Sequence, residues 1–203
     1  MFRSFFAVSA SVALLCSLPL LVAADKPKAD EGHEARRVMA EAADHSLNSS
    51  DQLLMLVAAS DRDRVGKTLS NKDEANYKKL GDKLQSLWKD KFKENFNAEK
   101  NIDDLGGLKP TITGTGADQK AVIAFPAQPG ESAYELHLMR EKNGFWRINL
   151  PDTMTGATFE KNMMNSINKV INDFGKVPDD KAQAYQRVTT ELLHEMAFPA
   201  SGK

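Results

Sequence analysis

The chain has 203 residues, 27 basic and 28 acidic side chains, a formal charge of −1 and 41% hydrophobic residues. That balance lacks the basic excess that a phosphate backbone attracts, so no nucleic-acid partner is expected. A single cysteine excludes an intramolecular disulfide, and four histidines without ligand spacing offer no metal pattern, so neither metal nor cofactor is expected.

The first residues read as an export signal. Arg3 is the only side-chain charge before Asp25, and Phe5 to Ala24 is apolar or small, broken only by Pro19. A basic start, an apolar middle and a small-residue exit make residues 1–24 a cleavable signal peptide, cut after Val22-Ala23-Ala24. The rival is a retained membrane anchor, because the apolar run is about long enough to span a bilayer. Pro19, the alanine exit and the absence of a following basic cluster argue against it. Cys16 follows Leu14-Leu15 rather than a small residue, so it belongs to the apolar core of the signal and is no lipidation site. Its removal leaves no thiol nucleophile. The expected location is periplasmic or extracellular, with no membrane contact after cleavage. Residues 25–33 are charged and read as a flexible leader. Residues 34–199 read as one α+β domain, a size that buries a sufficient core.

Residues 34–46 carry a helical pattern, with Val38, Ala42 and further alanines on one face. Ser49 with Gln52 has capping-box spacing, and the run Leu53 to Val57 suits either a short helix or a buried strand. Asp61-Arg62-Asp63-Arg64 reads as a solvated turn or helix edge. Ser70, with Asp73 and Glu74 behind it, opens the longest helix. Its stripe runs through Tyr77, Leu80, Leu84, Leu87, Trp88 and Phe92, ending near Phe96.

Gly106-Gly107 marks a change to β-type segments at Thr111–Thr115 and Ala121–Phe125. A hairpin then joins Tyr134–Glu141 to Phe145–Leu150 through Lys142-Asn143-Gly144. A two-residue Asn-Gly turn would set Leu138 opposite Asn149 and mix apolar with polar partners. A three-residue loop with left-handed Gly144 sets Leu138 opposite Ile148 and makes one face consistently apolar, so this register is expected. After Pro151, Phe159, Met163, Ile167, Val170, Ile171 and Phe174 form a helical stripe with Gly175 as C-terminal cap. Pro178 and Asp179-Asp180 open a last helix carrying Ala182, Tyr185, Val188, Leu192 and Met196, which Pro199 stops. The expected fold is α+β: N-terminal helices, an antiparallel meander of about four strands, and two C-terminal helices covering the sheet.

No catalytic signature emerges. His194-Glu195 starts like a zinc-protease helix, but Phe198 occupies the place of the second histidine. Gly114 to Lys120 matches neither a phosphate loop nor a dinucleotide fingerprint, and no nucleophile elbow exists. The candidate binding residues are those on the polar face of the hairpin: His137 opposite Asn149 and Met139 opposite Arg147, with Glu135 beyond. One reading is an ordinary solvated sheet face. The other is a pocket in which His137 handles protons near neutral pH and Arg147 holds an anion.

The helices followed by a meander ending in Asn-Gly-Phe-Trp-Arg-Ile-Asn-Leu, residues 143–150, resemble exported NTF2-like α+β domains. The resemblance covers residues 34–150 and implies a curved sheet with a cavity. That family holds enzymes, ligand binders and members without known activity, so it leaves function open. The expected function is an exported, non-enzymatic module that binds a small molecule or another envelope or extracellular protein. The alternative is a small hydrolase or isomerase using His137 in a sheet-lined pocket.

Overall fold

A computed structural model describes residues 30–69, 74–127 and 132–200. The expected signal peptide, the leader up to residue 29 and the Ser70 cap lie outside the described residues. The fold is α+β: the described residues form six α-helices and an antiparallel sheet in the order β1-β2-β3-β4.

Helix α1 (Glu31–His45) starts three residues before its expected position, so the end of the supposed leader is helical. The charged residues there have structural partners. Asp30 accepts the Gly32 N–H at 3.0 Å, and Glu31 and Glu34 place negative charge in the first turn, where the helix dipole favours it. Glu31 also accepts a hydrogen bond from Gln119 at 2.7 Å and pairs with Arg140 at 3.4 Å, tying the helix start to the sheet. Ala35, Val38, Met39, Ala40, Ala42 and Ala43 are all buried. Small side chains around the helix let neighbours approach from several sides, and α1 packs on the sheet strands β1 and β4 and on the last helix at once.

Helix α2 (Ser50–Leu54) begins after Ser49, but the Ser49 side chain caps nothing. The ambiguous run Leu53 to Val57 resolves into both of its candidate structures. It is helical to Leu54 and extended at Val57, which pairs in parallel with Ile148. Ile148 donates to the Leu56 carbonyl and accepts from the Ala58 N–H, both at 2.8 Å. Helix α3 (Ala59–Gly66) follows, and its Asp61 is buried rather than solvated.

Helix α4 (Glu74–Phe92) buries Tyr77, Gly81, Leu84 and Trp88. It stops at Phe92, short of the expected Phe96, because Lys93 turns left-handed at φ 62°. The Gln85 side chain holds both backbone groups of Phe96, at 2.9 and 3.1 Å. That returns the Phe96 ring edge-on to Trp88 at 4.9 Å, in a cluster that Phe92 and Tyr185 complete.

The sheet is a meander of β1 (Pro110–Thr113), β2 (Lys120–Phe125), β3 (Tyr134–Arg140) and β4 (Trp146–Asn149), all antiparallel. The β3–β4 register is the one that face matching selects: Leu138 opposite Ile148, His137 opposite Asn149, Met139 opposite Arg147. Gly144 at φ 86° makes the three-residue loop, and the Glu141 N–H donates to the Phe145 carbonyl at 2.9 Å. Leu136, Leu138, Ile123, Ala121, Trp146 and Ile148 are buried on the inner face, in one core with the helical stripes.

Helix α5 (Gly156–Asn172) buries Phe159, Met163, Ile167, Val170 and Ile171 as its stripe requires. Gly175 does not cap it. The chain continues as a 3-10 turn, Phe174–Lys176, and Gly175 is not left-handed. Helix α6 (Lys181–Leu193) is capped by Asp180, which accepts the Gln183 N–H at 2.9 Å. The two C-terminal helices pack on each other, and α6 lies on α1. The turn His194–Met196 then reaches β3, and Phe198–Pro199 forms a short strand, β5, against Tyr134 and Glu135. β3 thus shares one edge between β4 and the end of the chain.

Asp44, at the end of α1, carries a testable consequence. It accepts the N–H groups of Ala98 at 2.7 Å and Glu99 at 3.0 Å, clamping the turn after α4. Burial, partly offset by those two bonds, pushes its pKa up to about 6. The folded state therefore takes up this proton before the unfolded chain does. The Asp44 contribution to stability rises as pH falls from about 6 towards 4, and is unfavourable by about 3 kcal/mol above that window. Denaturation curves at pH 7 and pH 5 should show this slope in the native chain and its loss in Asp44→Asn. An equal slope in both would exclude Asp44 as the source.

Candidate functional site on the outer face of the sheet

The strand register sets two rows across the face that turns away from α1. One is Thr111, Val122, His137 and Asn149, and the other Thr113, Lys120, Met139 and Arg147. Alternation along each strand puts these residues outward because their neighbours, such as Leu138 and Ile148, fill the core. A depression of about 370 Å³ opens there, lined by Thr113, Lys120, Val122, His137, Met139 and Asn149.

His137 is partly sheltered, with 32% of its side chain exposed. Its Nε2 lies 3.2 Å from Glu135 Oε2, and its ring stacks on Phe198 at 4.3 Å and 18°. The Phe198 partner follows from β5, which sets Phe198 opposite Glu135. A carboxylate beside the imidazole and an aromatic ring against its face fix its orientation, as a binding or proton-handling histidine needs. Thr113 supplies a hydroxyl to the depression, and among the described residues no hydrogen bond joins it to His137.

Three of the four candidate residues, His137, Met139 and Asn149, share this depression. Arg147 does not join them. It starts on the same face, but its guanidinium donates from Nη1 to the Trp146 carbonyl at 3.0 Å, approaches Glu141 at 3.9 Å, and lies 5.3 Å from the Phe145 ring centre. A long side chain near the hairpin end finds these partners by bending away from His137. Arg147 lines a second cleft instead, between α1 and the hairpin. The structure thus sets the Arg147 guanidinium at this second cleft, while His137, Met139 and Asn149 line the depression.

Sequence reasoning missed Lys120, Thr113, Val122 and Phe198. Lys120 and Val122 were accessible in principle, since pairing β2 with β3 antiparallel sets them opposite Met139 and His137. Phe198 carried no signal, because a two-residue strand has no periodicity. Among the described residues, no group of three or more His, Cys, Asp or Glu side chains converges as metal ligands would. Nor is any described helix long and apolar enough to cross a membrane. No protein-family model, curated protein or solved structure matches the chain.

Proposed function

We propose that this protein is an exported, non-catalytic binding domain that holds a small molecule on the outer face of its sheet. The observation that carries the reading is the depression where His137, Met139 and Asn149 meet Lys120 and Thr113. Its lining mixes an apolar wall with a few convergent polar groups, the usual composition of a small-ligand site. Its cation, Lys120, favours a ligand bearing an acceptor or negative group. Export rests on residues 1–24 of the sequence. The resemblance to exported NTF2-like domains adds ligand binding as one of the roles known for that architecture.

A second reading is favoured by one contact, Glu135 against His137. A carboxylate that orients an imidazole also suits an acid–base enzyme, a small hydrolase or isomerase acting through His137.

One experiment separates these readings. The exported form, whose intact mass should correspond to a start at Asp25, is screened by ¹H–¹⁵N spectra against small organic acids, amines and neutral aromatics. Binders should shift the amides of Lys120–Val122, His137–Met139 and Asn149. His137→Ala should weaken such a binder about tenfold, the scale of one good hydrogen bond, and no bound ester or enolisable carbonyl should turn over. Turnover that falls about 10²-fold in His137→Ala would establish the enzyme reading instead. Shifts confined to other parts of the molecule would overturn both.

A further inference from the structure

Among the described residues, Met55 and Phe145 are the exposed large hydrophobic side chains, at 61% and 56%. They are 90 positions apart in the chain, yet both line the cleft of about 430 Å³ between α1 and the hairpin end. Exposed apolar side chains scattered singly need no explanation, whereas two converging on one concave surface mark an interaction site.

The polar groups at this cleft are mostly donors. Arg147 and Arg37 line it. Arg37 is half exposed and its ion pair with Glu41 is long, at 3.5 Å. Arg147 donates one hydrogen bond, from Nη1 to the Trp146 carbonyl, and its approach to Glu141 through Nε exceeds hydrogen-bond length. Among the described residues its Nη2 donors are uncommitted. Trp146 also lines the cleft, is 2% exposed, and its indole N–H is buried without a hydrogen-bond partner. A buried donor left unpaired is unusual.

The backbone adds one more donor. Ile148 points its N–H and C=O outward to the Leu56–Ala58 segment. Strand alternation turns the Trp146 N–H and C=O the same way, towards the edge of β4 that this segment leaves uncovered. The acids at the cleft, Glu34 and Glu41, stand on α1, and Glu41 faces Arg37.

We propose that the cleft between α1 and the hairpin binds a small organic anion, a carboxylate on an aromatic or aliphatic body. The carboxylate sits between Arg147 and Arg37, beside the Trp146 backbone N–H at the uncovered edge of β4, and the apolar body lies between Phe145 and Met55. Planar guanidinium suits a carboxylate through paired hydrogen bonds. A cleft of this volume lies within the range that encloses such a ligand. This site is separate from the depression at His137 and stands whether or not that one binds anything.

The test uses 2-naphthylacetate as probe, its neutral amide, and inorganic phosphate, each titrated into the ¹⁵N-labelled protein. The carboxylate should bind with a Kd of roughly 1 mM or tighter, as expected for a ligand of this size. It should shift the Phe145–Arg147 amides and perturb the Trp146 indole signal beneath them. The amide should bind at least about tenfold more weakly, as should the carboxylate to Arg147→Ala. Phosphate, lacking the apolar body, should leave the Trp146 signal in place. Phe145→Ser, at an exposed position, should keep the melting temperature and still weaken the carboxylate, which guards against a folding defect in Arg147→Ala. His137→Ala should change none of this. The proposal is overturned if amide and carboxylate bind equally, if phosphate reproduces the shifts, or if Phe145→Ser binds like the native chain. Absence of binding at 10 mM would overturn it too. Shifts at Lys120, Val122 and Asn149 alone would also overturn it while supporting the site on the sheet.

Discussion

Replacing Gly81 with alanine should cost about 3 kcal/mol or more of folding stability, although alanine is the better helix former by about 1 kcal/mol. Helix α4 crosses the turn after α1 at this residue. A Cβ built on Gly81 would stand 1.9 Å from the Leu47 carbonyl oxygen and 2.9 Å from the carbonyl carbon. Both are backbone atoms, so no side-chain rotation relieves the clash. The helix would have to retreat by more than an ångström, and other contacts would retreat with it. One turn earlier, the Tyr77 hydroxyl donates to the Ser46 carbonyl. One and two turns later, Leu84 and Trp88 are fully buried on the same stripe. Guanidinium denaturation of Gly81→Ala measures the loss, with the slope against denaturant unchanged if the native fold persists. A gain in stability, the outcome normal for a solvated helical glycine, would show that the close approach does not exist.

Gly81 illustrates what the sequence alone conceals. In a helical pattern it registers only as a weak point in propensity, because its purpose is a contact with Leu47, far from it along the chain. Asp61 is a similar case. Within Asp61-Arg62-Asp63-Arg64 nothing distinguishes one acid from the other, yet Asp61 is buried and its acceptor role is set by Leu150, 89 residues later. By contrast, the β3–β4 register was legible because it depends only on alternation and one turn. The wrong pairing would have set Leu138 against Asn149, and Gly144 was the residue able to take positive φ in the loop. The stripe of α5 was legible for the same reason, since Phe159, Met163 and Ile167 repeat at the helical period without interruption.

The candidate site divides along the same line. His137, Met139 and Asn149 share a face by strand periodicity, so the sequence brings them together. Arg147 obeys that periodicity at its Cα, but its guanidinium lies several bonds away. Its position is decided by Glu141, Phe145 and the Trp146 carbonyl. For a long cationic side chain, strand parity locates the backbone and leaves the charge undetermined. Phe198 stacks on His137 through a two-residue strand at the far end of the chain, which only tertiary structure reveals.

Asp61→Ala is expected to lose about 2–4 kcal/mol and to disturb the sheet-face site with it. Asp61 Oδ2 accepts the Leu150 N–H at 2.8 Å, and Oδ1 accepts from Arg64 Nη2 at 2.9 Å. The same guanidinium donates to the carbonyls of Pro151, at 3.1 Å, and Met154. One acid and one base thus bind the whole connection between β4 and α5 to α3. Removing the carboxylate leaves the Leu150 N–H buried without an acceptor, since Leu150 is 1% exposed. It also takes away the counterion of Arg64. Breaking a fully buried pair costs about 3–5 kcal/mol. Arg64 keeps 31% of its side chain in water, which lowers the expected figure. Asp61→Asn, retaining one acceptor oxygen, should lose about half as much. Hydrogen exchange should speed up first at Leu150 and through the first turn of α5, before the global transition. Asn149 is adjacent to Leu150 and lines the depression with His137, so the Asn149 amide should shift in Asp61→Ala even under conditions where the protein remains folded. A loss below about 1 kcal/mol, the level of an exposed substitution, would mean that solvent already satisfies Leu150 and that the α3 clip is not what holds the end of β4 in place.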